Sequence, residues 1–364
     1  MTEIENILQK TVSDNKSPSI QYILFDKDSI IKKYSCGFSD ISGNKNISDN
    51  TTYNAYSVTK TFTALAILQL AQQKKIDIEL PVKKYLPGFP YSSDISIRQL
   101  LSHSAGIPNP NPLDWIHLTI DHKSFDRNKF FEGIFLKNNK TKFQPNQSFA
   151  YSNLGYVLLG QLIEKVTETS YEQYVKENII KKLALKEDEL DFEIPNPNFH
   201  AKGYHKKLSI TNLVLGFFIN KSRYMSQAEG KWKPFNSFYV NGASYGGLIG
   251  TPDAFVKYLQ ELLKPNNLLL PDDYKQMMFT ENHTTNNKAT GMCLSWFTGR
   301  LNGIQYFAHA GGGGGYYCEL RIYPEKGIGS VCFFNRTGMT DERFLDKVDK
   351  FYFNKNKQGN QPTE

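Results

Sequence analysis

The sequence of 364 residues is 40% hydrophobic and 22% charged, enough apolar material for one large core or two medium ones and too little charge for a disordered chain. Its 43 Lys and Arg against 36 Asp and Glu leave a net charge of +7, without a basic stripe interleaved with aromatics, so no nucleic-acid partner is expected. The longest apolar run, Leu213–Ile219, falls far short of the roughly 20 residues of a membrane-spanning helix, and no integral membrane segment is expected.

In chain order, Met1–Lys10 lacks the basic start and apolar stretch of a secretory signal. A cytoplasmic location follows, or a periplasmic or secreted one if an export signal has been removed. Ser19–Phe25 and Ser29–Ser35, rich in Ile and Tyr around Asp26-Lys27-Asp28, read as two hairpin strands. The period then changes. Thr61–Gln73, Ile97–Leu101, Asn153–Thr167, Tyr171–Leu183 and Pro252–Leu263 read as helices, the last with Pro252 at the first helical position after Thr251. Leu213–Ile219, flanked by Lys206, Lys207, Lys221 and Arg223, reads as a buried element in preference to a lid or a membrane-touching patch. Trp232, Phe235, Phe238 and Tyr239 are expected to border a crevice and shape an apolar acyl pocket. Met292–Phe297, Ile304–Ala308, Tyr316–Tyr323 and Gly327–Phe334 read as strands. A helix follows at Asp341–Phe353, and the polar tail Asn354–Glu364 is expected to be disordered.

Strands at both ends around a helical middle predict an α/β (α+β) fold. Its antiparallel sheet is built from 1–55 and 290–353 and flanked by helices, with a mostly helical region, 56–289, inserted. The active site is expected in the crevice between them.

Three short motifs carry chemistry. Ser57-Val58-Thr59-Lys60 opens an apolar helix, and a spacing of three puts Ser57 and Lys60 on one face. A hydroxyl at a helix start sits in a field that favours a developing anion, and a nearby amine takes its proton if burial lowers the amine pKa. Tyr151-Ser152-Asn153 directly precedes a helix. A phenol, with an ordinary pKa of about 10, becomes a base only beside cations, and Asn153 offers both a donor and an acceptor for Lys60 and a substrate amide. His309-Ala310-Gly311, continuing through Gly312 to Gly315 into a strand, supplies glycines that let a ligand approach the backbone closely. Singly, each has an ordinary structural reading: a helix cap with a solvated lysine, a capped helix with a buried tyrosine, a flexible hairpin loop.

Together and in this order, the motifs resemble those of the serine β-lactamase-like superfamily, which contains class C β-lactamases, D,D-peptidases and related esterases. Further matching segments are Leu100–Ile107, Phe149–Gly160, Ala201–Tyr204 and Gly246–Thr251, so the resemblance runs from about Ile20 to Phe334. It implies a serine hydrolase in which Ser57 is acylated, Lys60 accepts its proton and Tyr151 acts as general acid/base. Asn153, Gly311 and Gly312 would bind substrate, with the N–H groups of Ser57 and Gly312 forming an oxyanion hole. His309 would stand first in a triplet where β-lactamases and peptidases carry lysine. An imidazole, with an unperturbed pKa of about 6.5, attracts a carboxylate less than lysine does at neutral pH. The expected substrate is therefore a small ester, amide or peptide without an obligatory carboxylate. A D,D-peptidase or β-lactamase is the alternative, and a non-catalytic binding module the third reading. No metal or organic cofactor is required. Cys36, Cys293, Cys318 and Cys332 follow no metal-ligand spacing, and the last three are expected as buried free thiols on strands. His117 and His122 are expected at the surface, and His103 in a structural turn near the site.

Overall fold

The computed structural model describes residues 2–337 and 343–358. Seven antiparallel strands form the main sheet. The first three are β1 (Ser19–Asp26), β2 (Ile30–Asp40) and β3 (Lys45–Asn46), and the last four are β4 (Phe297–Leu301), β5 (Ile304–Gly313), β6 (Tyr316–Tyr323) and β7 (Ile328–Phe334). Their spatial order is β4-β5-β6-β7-β1-β2-β3, so the two chain ends meet where β1 pairs with β7, Ile23 opposite Val331.

Alternation along these strands sends side chains to two cores. Ile23 and Phe25 of β1, Leu320 and Ile322 of β6 and Val331 and Phe333 of β7 face the larger one, which the inserted helices complete. Ile20, Tyr22 and Leu24, with Tyr323, Cys332 and Phe334, face the other. That second face is covered by α1 (Glu3–Ser13), through Ile4 and Leu8, and by α5 (Phe344–Gln358), through Phe344, Leu345 and Val348. Strands buried on both faces read as nearly continuous hydrophobic runs, as β6 and β7 do. Within the inserted region, α2 (Thr59–Gln72) is buried on every side from Thr59 to Ala71. Beside it lies α3 (Asn153–Thr167), and α4 (Pro252–Leu263) packs between the helices and the sheet.

The predicted fold class is the observed one, with local differences among the elements. Helix α1 went unread, although Thr2 and Glu5 form a reciprocal capping box and Ile4 and Leu8 are one turn apart. A helix at Arg127–Lys137, capped by Asp126, was likewise missed. The segment expected as one helix, Tyr171–Leu183, is an α-helical turn to Val175, a π turn over Lys176–Ile180 and a 3-10 turn over Lys181–Leu183. Met292–Phe297 is not a strand. Gly291 and Ser295 take φ of +71° and +73°, which breaks the extended run, and β4 begins at Phe297. Cys293 therefore lies in a buried turn, while Cys318 and Cys332 are buried on β6 and β7, all as free thiols.

Helix α5 continues from Phe353 to Gln358, into the stretch expected as tail; residues 359–364, and Asp341 and Glu342 at the expected helix start, lie outside the described residues. His117 is buried, not on the surface, with Nε2 2.8 Å from His122 Nδ1 and Nδ1 2.8 Å from Asn241 Oδ1. Leu213–Ile219 is also reversed. It belongs to a surface excursion that starts with a short helix, Ile210–Leu215, and only Leu215 and Ile219 turn inward. Among the described residues no helix is long and apolar enough to cross a membrane, and no group of three metal-ligating side chains comes together.

Candidate active site

A two-residue strand, Tyr53–Asn54, pairs with Ile249–Gly250 and delivers the chain to a 3-10 turn, Tyr56–Val58, that runs into α2. Tyr56 sits at φ +46°, unusual for a bulky residue, and two contacts at the end of β5, to Gly313 and Gly314, hold it there. Its hydroxyl donates to the Gly314 carbonyl at 3.2 Å, and its ring lies where a side chain at residue 313 would be: a Cβ on Gly313 would stand 2.2 Å from Tyr56 Cε1. At Gly311 a Cβ would meet the Ala55 carbonyl oxygen at 2.0 Å. Gly311, Gly312 and Gly313 are thus strand, and only Gly314 and Gly315 make the hairpin turn. The missing side chains at Gly311 and Gly313 let the turn that carries Ser57 lie directly on the backbone of β5.

Lys60, one turn into α2, places Nζ 2.9 Å from Ser57 Oγ and donates to the Tyr245 carbonyl at 2.8 Å. The amine is fully buried among the rings of Tyr151, Tyr156 and Tyr245, with centroids 4.9, 5.6 and 5.3 Å away. No carboxylate among the described residues pairs with it. Burial therefore drives its pKa well below the ordinary lysine range.

Tyr151 arrives on the segment before α3, where Ser152 caps the helix by accepting from the Gly155 N–H at 3.1 Å. The Tyr151 ring lies between His103, centroids 4.3 Å apart, and Phe297, stacked at 6.5 Å. Asn153 is held from behind: its backbone N–H donates to Asn109 Oδ1 at 3.0 Å. Its own Oδ1 is buried without a hydrogen-bond partner among the described residues. His103 does sit in a turn, at φ +55°, but does more than close it. Its Nδ1 accepts the Ser152 N–H at 3.1 Å and its carbonyl accepts the Ala150 N–H at 2.8 Å, which fixes the path of the residues on either side of Tyr151. The sequence signal available for that role was a histidine preceding Ser-Ala-Gly in a turn.

His309 on β5 is 1% exposed. Its Nδ1 lies 2.8 Å from the Ala310 carbonyl, which only accepts, so Nδ1 carries the proton and Nε2 is left as an acceptor. Burial, with Lys60 nearby, pushes its pKa down to about 3, and the ring is neutral at physiological pH. Its ring centroid is 6.4 Å from that of Tyr151.

Ser57 sits where two cavities meet, with Gly312 and Gly313 on the border of both. The larger, about 860 Å³, is lined near Ser57 by Tyr151, Phe297, Thr298 and His309. The smaller, about 310 Å³, is an apolar pocket of Leu113, Trp115, Ile116, Val214, Leu215 and Phe235, with Asn153 at its wall. Of the aromatics expected at the crevice, Phe235 lines this pocket and Phe238 packs behind Gly314, whereas Trp232 faces away, beneath Lys206 and Arg336. The tertiary structure therefore brings Ser57, Lys60, Tyr151, Asn153, His309, Gly311 and Gly312 into one site.

Relatives place this arrangement. The chain is 28% identical over 205 residues to penicillin-binding protein 4* of Bacillus subtilis (strain 168), covering 55% of this chain and 45% of that protein. It is 22% identical over 345 residues to protein flp of Staphylococcus aureus (strain NCTC 8325 / PS 47), covering 92% and 62%. The chain thus spans less than two thirds of the length of these curated relatives. D-amino acid amidase from Ochrobactrum anthropi SV3, complexed with L-phenylalanine, superposes with a TM-score of 0.76 at 20% identity, over 98% of this chain and 99% of that one. A class C beta-lactamase gives 0.72 at 17% identity, over 96% and 94%. The fold is shared with these enzymes. The family described as Beta-lactamase matches residues 4–352, and the chain belongs to that family.

Proposed function

We propose that the protein hydrolyses an ester or amide of a small substrate through an acyl-enzyme on Ser57. The observation that carries this reading is the buried Lys60 amine, 2.9 Å from Ser57 Oγ and without a carboxylate partner among the described residues. An amine forced towards neutrality beside a hydroxyl is a base in place. Lys60 takes the hydroxyl proton as Oγ bonds to the substrate carbonyl carbon. The N–H groups of Ser57 and Gly312 receive the oxyanion, and Tyr151 gives a proton to the departing alcohol or amine. Water then bonds to the acyl carbon as Tyr151 takes back a proton from it, the carbon–Oγ bond breaks to release the acid, and Ser57 recovers the proton held by Lys60.

The substrate reading follows from the two cavities and from His309. An acyl group fits the apolar pocket of Trp115, Val214 and Phe235, and the unpartnered Asn153 Oδ1 is suited to an N–H or O–H donor of the substrate. A neutral His309 supplies an acceptor where an anionic substrate would want a cation. Substrates without an obligatory carboxylate are therefore favoured over β-lactams, although penicillin-binding proteins and a class C beta-lactamase stand among the relatives and the fold neighbours.

Intact-mass analysis tests the reading. A fluorophosphonate should add one adduct to the wild type and none to Ser57→Ala. Short p-nitrophenyl esters should turn over faster than a chromogenic cephalosporin; the reverse order assigns the protein to the β-lactamase or D,D-peptidase alternative. Absence of labelling by fluorophosphonate and by penicillin alike would leave a binding module.

A further inference from the structure

We propose that residues 206–233 form a docking surface for an anionic lipid bilayer. Within eleven residues, Leu208, Ile210, Leu213, Val214, Phe217 and Phe218 are 41–90% exposed. Single exposed apolar side chains are ordinary on a protein surface, but six in one short excursion are not. Ile210, Leu213 and Val214 stand on the short helix Ile210–Leu215 and Phe217 in the turn after it, while Leu215 and Ile219 anchor the inner side in the core.

Charge decides which partner fits this crest. Residues 206–233 contain Lys206, Lys207, Lys221, Arg223, Lys231 and Lys233 against Glu229 alone, a net +5 out of +7 for the whole chain. Glu229 is already engaged by Lys202 at 3.0 Å and by the Tyr204 hydroxyl at 2.7 Å. Among the described residues no carboxylate pairs with Lys206, Lys207, Lys231 or Lys233. A second copy of this surface would bring like charge onto like charge. A bilayer with anionic headgroups instead meets both features, apolar side chains entering the acyl boundary and lysines reaching the phosphates. Ile210 and Val214 also line the 310 Å³ pocket beside Ser57, so a docked molecule turns the mouth of that pocket towards the lipid.

The test is co-sedimentation of the full chain with vesicles of phosphatidylcholine, with and without phosphatidylglycerol, at low and high salt. Binding needs no catalysis, so its failure is separable from failure of the hydrolase reading. The wild type should bind the phosphatidylglycerol vesicles and release from them in high salt. Leu213→Asp with Phe217→Asp, and independently Lys207→Glu with Lys231→Glu, should each weaken that binding by about tenfold or more. All four positions are solvent-facing, and a thermal melt like that of the wild type checks that each variant is folded. No binding to either vesicle, binding that both folded variants retain, or light scattering that shows a dimer broken by Leu213→Asp with Phe217→Asp would each overturn the proposal, the last by assigning the surface to a second copy.

Discussion

Two fully buried cations, one on each face of the sheet, are treated in opposite ways. Arg321 on β6 reaches the outer core, where its Nη2 donates to Glu319 Oε1 at 2.6 Å and its Nη1 donates to Asp346 on α5. Its guanidinium lies 4.1 Å from the Tyr306 ring. Burial opposes the charge, but Glu319, Asp349 and Asp346 overcome that opposition and the pKa moves up. Lys60, on the inner face, has a hydroxyl, a carbonyl and aromatic rings for company, and its pKa moves down. The paired cation ties α5 to the sheet. The unpaired one carries stability at a disadvantage and reactivity at an advantage, as buried groups with shifted pKa values at functional sites often do.

The comparison is broken most severely at Lys60. Lys60→Met should lower the acylation rate by roughly 10⁴-fold, near the upper end of the range for a general base, while the variant melts higher than the wild type at pH 7. The sign follows from linkage. The folded-state pKa of Lys60 lies below the unfolded one, so folding expels a proton between the two values and wild-type stability rises with pH across that window. The thermal advantage of Lys60→Met should therefore shrink as pH climbs towards about 10. A variant less stable than the wild type at every pH would contradict this account of Lys60.

Arg321→Met should do the opposite. It leaves the buried Glu319 and the partly exposed Asp346 without their cation, and loss of one partner of a buried pair such as Arg321–Glu319 costs about 3–5 kcal/mol. Acylation by the folded fraction should be unchanged. Urea unfolding alongside fluorophosphonate labelling kinetics separates the two quantities.

Gly313→Ala tests the seam between turn and strand. Its Cβ would press on the Tyr56 ring at 2.2 Å, and overpacking of this kind costs about 1–3 kcal/mol. Because Tyr56 adjoins Ser57, labelling should slow by more than the stability loss explains.

The smallest effect concerns His309. Its pKa falls from 6.5 to about 3 on folding, so its contribution is complete above pH 6.5 and is lost as pH drops through that window towards 3. His309→Asn should flatten the acid limb of the melting curve, by roughly 1 kcal/mol between pH 6.5 and 5.5. The wild-type pH–rate profile should show no inflection from this group near neutrality; one that disappears in His309→Asn would show a charged imidazole.

Much of the candidate site was legible because its motif residues stand at local spacings. Ser57 and Lys60 share a helical turn, Tyr151 and Asn153 flank a capping serine, and the glycines of β5 form a continuous run. His103 was placed in its turn, but its grip on the Tyr151 segment depends on a fold that brings residue 103 beside residue 152. Leu213–Ile219 was read as buried because apolar runs usually are. Only the completed packing shows that Leu215 and Ile219 fill the available inner space and leave Leu213 and Phe217 in solvent. His117 failed in the reverse direction, since a five-residue spacing gives no hint that its ring is buried and bonded to the partly exposed His122.

By itself the sequence determined the strands at both ends, the helical middle and the family motifs, since hydrophobic period and short-range spacing are local properties. The tertiary structure alone decided that Lys60 is buried without a carboxylate while Arg321 is buried between carboxylates, that His309 is neutral, and that an apolar pocket opens beside Ser57. Desolvation and pairing depend on which distant segments close around a side chain, and no local pattern encodes that.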